Sequence, residues 1–328
     1  MNKMSDNPPI HVVAGVIQDA RGRILLTRRT LGRDLAGLWE FPGGKVEKGE
    51  TAAIALGREL REELDIEVQP GEFLISVPQA MPHKRIVLEV HRINRWQGRV
   101  RGLDGQALAW VLPEHLGKYP MPPADRPVVA ALRQAPLCLV TPSPAMMSDQ
   151  QWLAGLDAAL AAGIGRIQLR APDCAPSRWR ALLDEAVARA RGKSSQLAVN
   201  GDAALAEQYA IGLHLPERLL MARKARDFPA ELALSAACHH PDALRHAEAI
   251  GCDYAVVGQI KPSTSHPGAP GMGWAGFARL REVSSLPLYA IGGLGIADMA
   301  DARAHGAQGI AAIRALWQQG QGAASSAL

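Results

Sequence analysis

The chain has 328 residues, of which 48% are hydrophobic and 21% charged, with a net charge of +4. This describes a globular protein able to bury full cores, and the length favours two domains. No run of about 18 apolar residues is present, and no basic run is interleaved with aromatics, so neither a membrane nor a nucleic-acid polymer is an expected partner.

The opening Met1–Pro9 has no apolar core, which speaks against a secretory signal and for a cytoplasmic location. Cys138, Cys174, Cys238 and Cys252 all lie in the second half without C-x-x-C spacing, and are expected as free, buried thiols. Cys238-His239-His240 has no suitably spaced fourth ligand to complete a metal site.

In chain order, Ile24-Leu25-Leu26-Thr27-Arg28-Arg29 reads as a strand ending in two cations. Trp39-Glu40-Phe41-Pro42-Gly43-Gly44 then leads into a turn. Thr51 to Leu64 reads as a helix, with Ala53, Leu56, Leu60 and Leu64 at three- and four-residue intervals. Glu59, Glu62 and Glu63 share its other face. Like charges at that spacing repel by a few tenths of a kcal/mol. Gly57 in the helix interior costs up to about 1 kcal/mol more. A helix carrying such penalties usually has something to bind, and clustered carboxylates suit Mg²⁺ or Mn²⁺, which in turn grip a diphosphate.

The whole spaced pattern resembles the Nudix box, G-x5-E-x7-R-E-U-x-E-E-x-G-U with U bulky and apolar. It matches at Gly44, Glu50, Arg58, Glu59, Leu60, Glu62, Glu63 and Ile66. Asp65 stands where the family has Gly; the position asks for a left-handed backbone, which Asp tolerates better than most residues. The flanking Trp96-Gln97-Gly98 and Pro122–Pro127 runs are similar to the MutT branch, the hydrolases of oxidised purine nucleoside triphosphates. The resemblance implies Mg²⁺ ligands at Glu59, Glu62 and Glu63, the carbonyl of Gly43 and the loop carboxylate Asp104. It implies catalytic roles for Glu59 or Glu50 in positioning or deprotonating water, with Arg58 orienting the glutamates. Arg29 would face the phosphates, Phe41 would contribute to the substrate pocket, and Asp125 would read the base edge where the bacterial pattern has Asn. An amide donates and accepts, whereas an ionised carboxylate only accepts.

Past Leu132–Pro136 the pattern changes. Apolar runs at Leu137–Thr141, Arg166–Arg170, Gln196–Asn200, Gly212–Leu215, Leu232–Ala236, Tyr254–Gln259, Leu286–Gly292 and Gly309–Ile313 alternate with helical stretches. Those stretches are Asp149–Ala162, Pro176–Arg191, Asp242–Gly251, Trp274–Val283 and Ile296–Gly306. Eight buried strands separated by helices predict a (β/α)8 TIM barrel, whose working residues sit at strand C-termini. The α/β expectation is therefore an N-terminal Nudix α/β/α sandwich over residues 1–133 and a barrel over 137–320.

The second half resembles the thiamine phosphate synthase/TenI family, carried by Gln168-Leu169-Arg170, Gly212–Leu215, Gly251–Gly258, Ala290–Leu294 and Gly306–Ala311. Departures fall on the synthase chemistry. Ala171-Pro172 replace an acidic residue and Lys, and Gly201 and Leu219 replace the metal-binding aspartates. His266 stands for a Lys, and Arg314 for a Ser. The resemblance implies a phosphorylated thiazole- or pyrimidine-like ligand; Arg170, Gly292 and Gly293 are the strand-end candidates to hold it, and Arg314 adds a cation beside them. His239 is either an acid/base group, as the TenI tautomerase branch would need, or a hydrogen-bonded strand-end histidine. The expected activity is metal-dependent hydrolysis of 8-oxo-dGTP to monophosphate and diphosphate. The alternatives are salvage of thiamine diphosphate analogues, or a barrel that only binds ligand and tunes the hydrolase.

Overall fold

The computed structural model describes residues 8–32, 34–69, 71–262 and 270–317. They divide into two compact units. One is built on the chain up to Gln134 together with Arg281–Ser285 and Arg303–Gly306, the other on the remainder from Ala135.

The first unit contains β1 (Ile10–Ile17), β2 (Ile24–Arg28), β3 (Trp39–Glu40), β4 (Gly43–Lys45), α1 (Ala52–Leu64), β5 (Ile66–Val68), β6 (Phe73–Ala80), β7 (Arg85–Ile93), β8 (Trp96–Gly98), β9 (Leu108–Val111) and α2 (Arg126–Arg133). The main sheet runs β4-β1-β7-β6, with β1 and β7 parallel and the other pairs antiparallel; β3-β2-β9 and β5-β8 form smaller sheets. Side chains alternate along β1 and so serve two cores. Val13 and Ile17 join Ala55, Leu56, Leu60 and Leu64 of α1, whereas Ala14 and Val16 join Val128 and Ala131 of α2. A sheet between two helices is the sandwich expected from the sequence.

Helix α1 is built much as its residues predict. Thr51 caps its start by accepting from Ile54 N–H at 3.3 Å. Asp65 closes it in the left-handed region, at φ 58° and ψ 39°, with its N–H on the Arg61 carbonyl. Burial of Leu56, Leu60 and Leu64 contributes roughly 1.5–3 kcal/mol each, which outweighs the repulsion on the acidic face. One member of the expected stripe differs: Ala53 is exposed, and Ala55 is the alanine that joins the core with Leu56, Leu60 and Leu64.

The second unit is a closed barrel of parallel strands: β10 (Leu137–Val140), β11 (Arg166–Leu169), β12 (Gln196–Asn200), β13 (Gly212–Leu215), β14 (Leu234–Cys238), β15 (Tyr254–Gly258), β16 (Leu288–Ile291) and β17 (Gly309–Ala312). Each strand pairs with the next and β17 closes on β10. The intervening helices are α3 (Asp149–Ala161), α4 (Pro176–Ala190), α5 (Ala203–Gln208), α6 (Glu217–Ala222), α7 (Pro241–Ala249), α8 (Gly273–Arg281) and α9 (Met299–Ala304). The six-residue α5 and α6 are too short to show a clear helical period. The fifth strand begins two residues later than its apolar run, where Leu234 N–H donates to Asp253 at 2.7 Å. The last helical stretch opens as a 3-10 turn, Ile296–Asp298.

At the N-terminal ends of the strands the barrel is plugged. The Arg166 guanidinium lies 4.2 Å from the centroid of the Tyr254 ring and donates to the Tyr289 hydroxyl at 3.0 Å. Cys138 sits in the same cluster, its thiol pushed up to about 12 by burial. Cys138, Cys238 and Cys252 are buried free thiols as expected, but Cys174 is only half-buried. The closed lower end leaves the upper mouth for ligands.

Candidate functional site

The first site is organised around Arg58. Its Nε and Nη2 donate to the two oxygens of Glu50, each at 2.9 Å; Nη1 reaches Glu59 at 2.9 Å and Glu62 at 3.3 Å, and Nη2 also donates to the Lys45 carbonyl at 3.0 Å. One planar guanidinium thus braces three box carboxylates against the strand that precedes them. Glu50 also accepts from Glu47 N–H at 3.1 Å, and these bonds, Arg58 foremost, hold its carboxyl down at about 2. A carboxylate so committed is a poor proton acceptor. Both Glu50 oxygens are occupied by Arg58, whereas Glu59 meets the same guanidinium through one oxygen only.

Glu59 reaches over the chain at Gly44. A Cβ on Gly44 would lie 2.1 Å from the Glu59 carboxyl carbon, so glycine is what lets this carboxylate settle on the β4 backbone. Gly43 is held opposite Ala14 in the same strand pair. Glu62, with its side chain 61% exposed, projects further out. Glu63 and Asp104 line one small crevice with Arg29, Glu40 and Gln106. Gln106 stitches it together: its Nε2 donates to the Glu63 carbonyl at 3.0 Å and its Oε1 accepts from Asp104 N–H at 2.9 Å.

Among the described residues no three His, Cys, Asp or Glu side chains converge on one point as they stand. The donor set nevertheless fits a hard divalent cation. All donors are oxygens, Glu59 is given access to the β4 backbone by Gly44, and among the described residues the Glu62 carboxylate is tethered through Arg58 alone.

Arg29 is already engaged. It ion-pairs with Glu40 and donates Nε to the Asp34 carbonyl at 2.6 Å, so it reaches the crevice as half of a pair and not as a lone phosphate-facing cation. Asp125 is buried at the start of α2, where Oδ1 accepts from Phe41 N–H at 3.2 Å. The Phe41 ring belongs to the core, so its link to this site runs through the main chain. Burial, aided by the charge of Glu40, pushes the Asp125 carboxyl up to about 8. The sequence-based premise that Asp125 is ionised is thereby corrected: near neutral pH it is mostly a carboxylic acid, able to donate and accept.

In the barrel, a cavity of about 1040 Å³ opens at the C-terminal ends of β14 to β17. Gly292, Gly293, Arg314 and His239 all line it. A Cβ at Gly292, whose φ is +108°, would come within 2.5 Å of the Gln259 Cβ, so the close approach of two loops requires glycine there. The loop is pinned by Asp298, which accepts from Gly295 N–H at 2.9 Å and pairs with Lys261 at 2.5 Å. Arg170 does not line the cavity; its side chain is exposed while its main chain bonds Thr141. His214 is buried on Ser235 Oγ at 3.0 Å, its imidazole pushed down to about 4 by burial. At Gly201 a Cβ would meet Leu219 and Pro216 at 3.7 Å, so apolar groups occupy the region of the departed carboxylates. His266 lies outside the described residues. The apolar wall of Met272, Ile291 and Leu294 was not foreseen; only the register of strand ends in a closed barrel exposes it.

A helix–sheet–helix domain bearing this braced glutamate helix, joined to a closed parallel barrel, defines two known classes. The chain belongs to the Nudix family through its first domain and to the thiamine monophosphate synthase family through its second. Residues 13–131 match the family described as NUDIX domain, and residues 137–316 the family described as thiamine monophosphate synthase. The chain is 43% identical over 122 residues to the CTP pyrophosphohydrolase of Escherichia coli (strain K12), covering 37% of this chain and 90% of that protein. It is 34% identical over 125 residues to the 8-oxo-dGTP diphosphatase of the same organism, covering 38% and 97%. The thiamine-phosphate synthase of Prochlorococcus marinus (strain MIT 9313) is 31% identical over 198 residues, covering 60% of this chain and 56% of the relative. No described helix is long and apolar enough to cross a membrane.

Proposed function

We propose that the first domain hydrolyses a nucleoside triphosphate to monophosphate and diphosphate, with 8-oxo-dGTP as its principal substrate, and so clears oxidised precursors from the nucleotide pool. When bound, Mg²⁺ or Mn²⁺ would neutralise phosphate charge and acidify the attacking water. Glu59, Glu62 and Glu63 would hold metal, with the Gly43 carbonyl and Asp104 completing the set. Arg58 fixes the glutamate face, and Glu59 accepts the proton of the attacking water.

The observation that carries the substrate reading is Asp125, buried with one oxygen on Phe41 N–H. A neutral carboxyl presents a donor beside an acceptor. The O6 and N7–H edge of 8-oxoguanine offers an acceptor beside a donor and satisfies both. Unmodified guanine offers two acceptors there and leaves one lone pair facing another, at a cost of about 1–3 kcal/mol. The N3 and N4–H edge of cytosine has the same acceptor–donor pairing, which supports CTP as a second substrate and agrees with what the 43%-identical relative is named for. Steady-state kinetics of Asp125→Ala test the reading. KM for 8-oxo-dGTP should rise and its advantage over dGTP should shrink; an unchanged preference would move base recognition elsewhere and favour a thiamine-diphosphate-analogue substrate.

For the barrel, we infer binding of a small phosphorylated ligand without synthase chemistry. The glycine loops at 292–295 and Arg314 suit a phosphate, while Gly201 and Leu219 offer no carboxylate for a metal-bound diphosphate. His239 is positioned to accept a proton from such a ligand, as an isomerisation would need.

A further inference from the structure

Glu217 was not singled out by the sequence, yet it makes two directed contacts at the barrel mouth. It opens α6 just after β13, with its side chain 24% exposed. Oε2 accepts from the main-chain N–H of His239 at 2.7 Å, and Oε1 lies 3.2 Å from Nε2 of His240. His240 Nδ1 accepts from Ala243 N–H at 3.2 Å at the start of α7, so that nitrogen carries the lone pair and Nε2 carries the hydrogen given to Glu217. One carboxylate therefore holds both residues of the segment that follows β14.

The same reasoning fixes the ring of His239. Its Nδ1 lies 2.7 Å from the Gly258 carbonyl oxygen, which can only accept, so Nδ1 carries the hydrogen. Nε2 is then the basic nitrogen of the neutral ring. Among the described residues it has no hydrogen-bond partner, and the side chain lines the cavity with Gln259, Gly292 and Arg314. A histidine that merely completed a strand end would not need its backbone tied by a carboxylate from another element as well as its ring tied by a carbonyl.

We propose that Glu217 is a positioning residue of the barrel site, holding the His239–His240 segment so that His239 presents Nε2 as a proton acceptor to a ligand in the cavity. This rests on the reading of the barrel as a phosphate-ligand site. Glu217 is not among the residues lining the cavity and acts through the His239–His240 segment.

The test is imidazole nitrogen NMR on the full chain, with His239 assigned by its loss in His239→Ala and inorganic phosphate as the probe. In the wild type, His239 should show one tautomer, Nδ1 protonated and Nε2 not, and both signals should move as phosphate is added. In Glu217→Ala the single tautomer should give way to a mixture and the phosphate response should weaken. Glu217→Gln keeps an acceptor for the His239 N–H and should restore both. An unchanged tautomer and response in Glu217→Ala would overturn the positioning role. Absence of any phosphate response in the wild type would overturn the ligand-site reading beneath it, while the tautomer comparison would still decide what Glu217 does.

Discussion

Arg58 and Glu50 form a two-point pair, Nε and Nη2 each 2.9 Å from one carboxylate oxygen, and the same guanidinium continues to Glu59 and Glu62. The acidic face of α1 is therefore held by a cation within the helix itself. Arg58→Lys keeps the charge but cannot span these partners. Losing charge-assisted bonds worth about 1.5–3 kcal/mol should lower kcat roughly 10- to 100-fold, with the fold retained. A variant with wild-type kcat would remove Arg58 from the account.

The pair also has an acid limit. Glu50 is held at about 2 against an ordinary 4.5, so its contribution to stability is full above 4.5 and is lost as pH falls towards 2. Acid titration of folding should show this loss in the wild type and a smaller one in Glu50→Gln.

Glu62→Gln and Glu63→Gln keep side-chain shape and remove charge. Each should lower kcat by roughly 10²-fold or more, the scale of losing one electrostatic contact in a transition state. Thermal stability should hold or rise, because like-charge repulsion on the helix is relieved. Turnover at the wild-type rate in either variant would refute the metal-ligand assignment.

Gly44→Ala is a sharper probe of the same face. The new methyl would lie 2.1 Å from the Glu59 carboxyl carbon and must displace it. Activity should fall while the β1–β4 pairing persists, and raising the metal concentration should recover part of the loss if metal affinity is what suffers.

Asp125 supplies a pH prediction with a definite sign. Its folded-state value of about 8 exceeds the ordinary 3.8, so the native state keeps a proton that the unfolded chain releases. Stability is full below about 4, declines as pH rises towards 8, and levels beyond. Asp125→Asn cannot ionise and should gain a Tm advantage that grows across that window. It should also keep its preference for 8-oxo-dGTP above pH 8, where the wild type loses its donor. A parallel Tm profile in the two proteins would contradict a protonated Asp125.

Much of this was legible in the sequence because it is local. The stripe Leu56, Leu60 and Leu64 and the left-handed Asp65 depend on neighbours within a turn or two, and both appear as expected. The strand ends Gly292, Gly293 and Arg314 follow from strand order once the barrel closes. What escaped depends on pairs remote in sequence. The Phe41–Asp125 bond spans 84 positions, and it comes with the burial that keeps Asp125 protonated. Glu217 meets His239 across 22 positions, from a six-residue helix with no readable period. Arg29 looked like a phosphate cation because Glu40, its partner, lies on the next strand.

The most direct measurement is product analysis of the purified full chain with Mg²⁺ and 8-oxo-dGTP, dGTP or CTP. The account predicts nucleoside monophosphate and diphosphate in equal amounts. It also predicts kcat/KM for 8-oxo-dGTP about 10- to 100-fold above dGTP, the worth of 1–3 kcal/mol at the base edge. Release of orthophosphate without diphosphate, or equal turnover of 8-oxo-dGTP and dGTP, would contradict it.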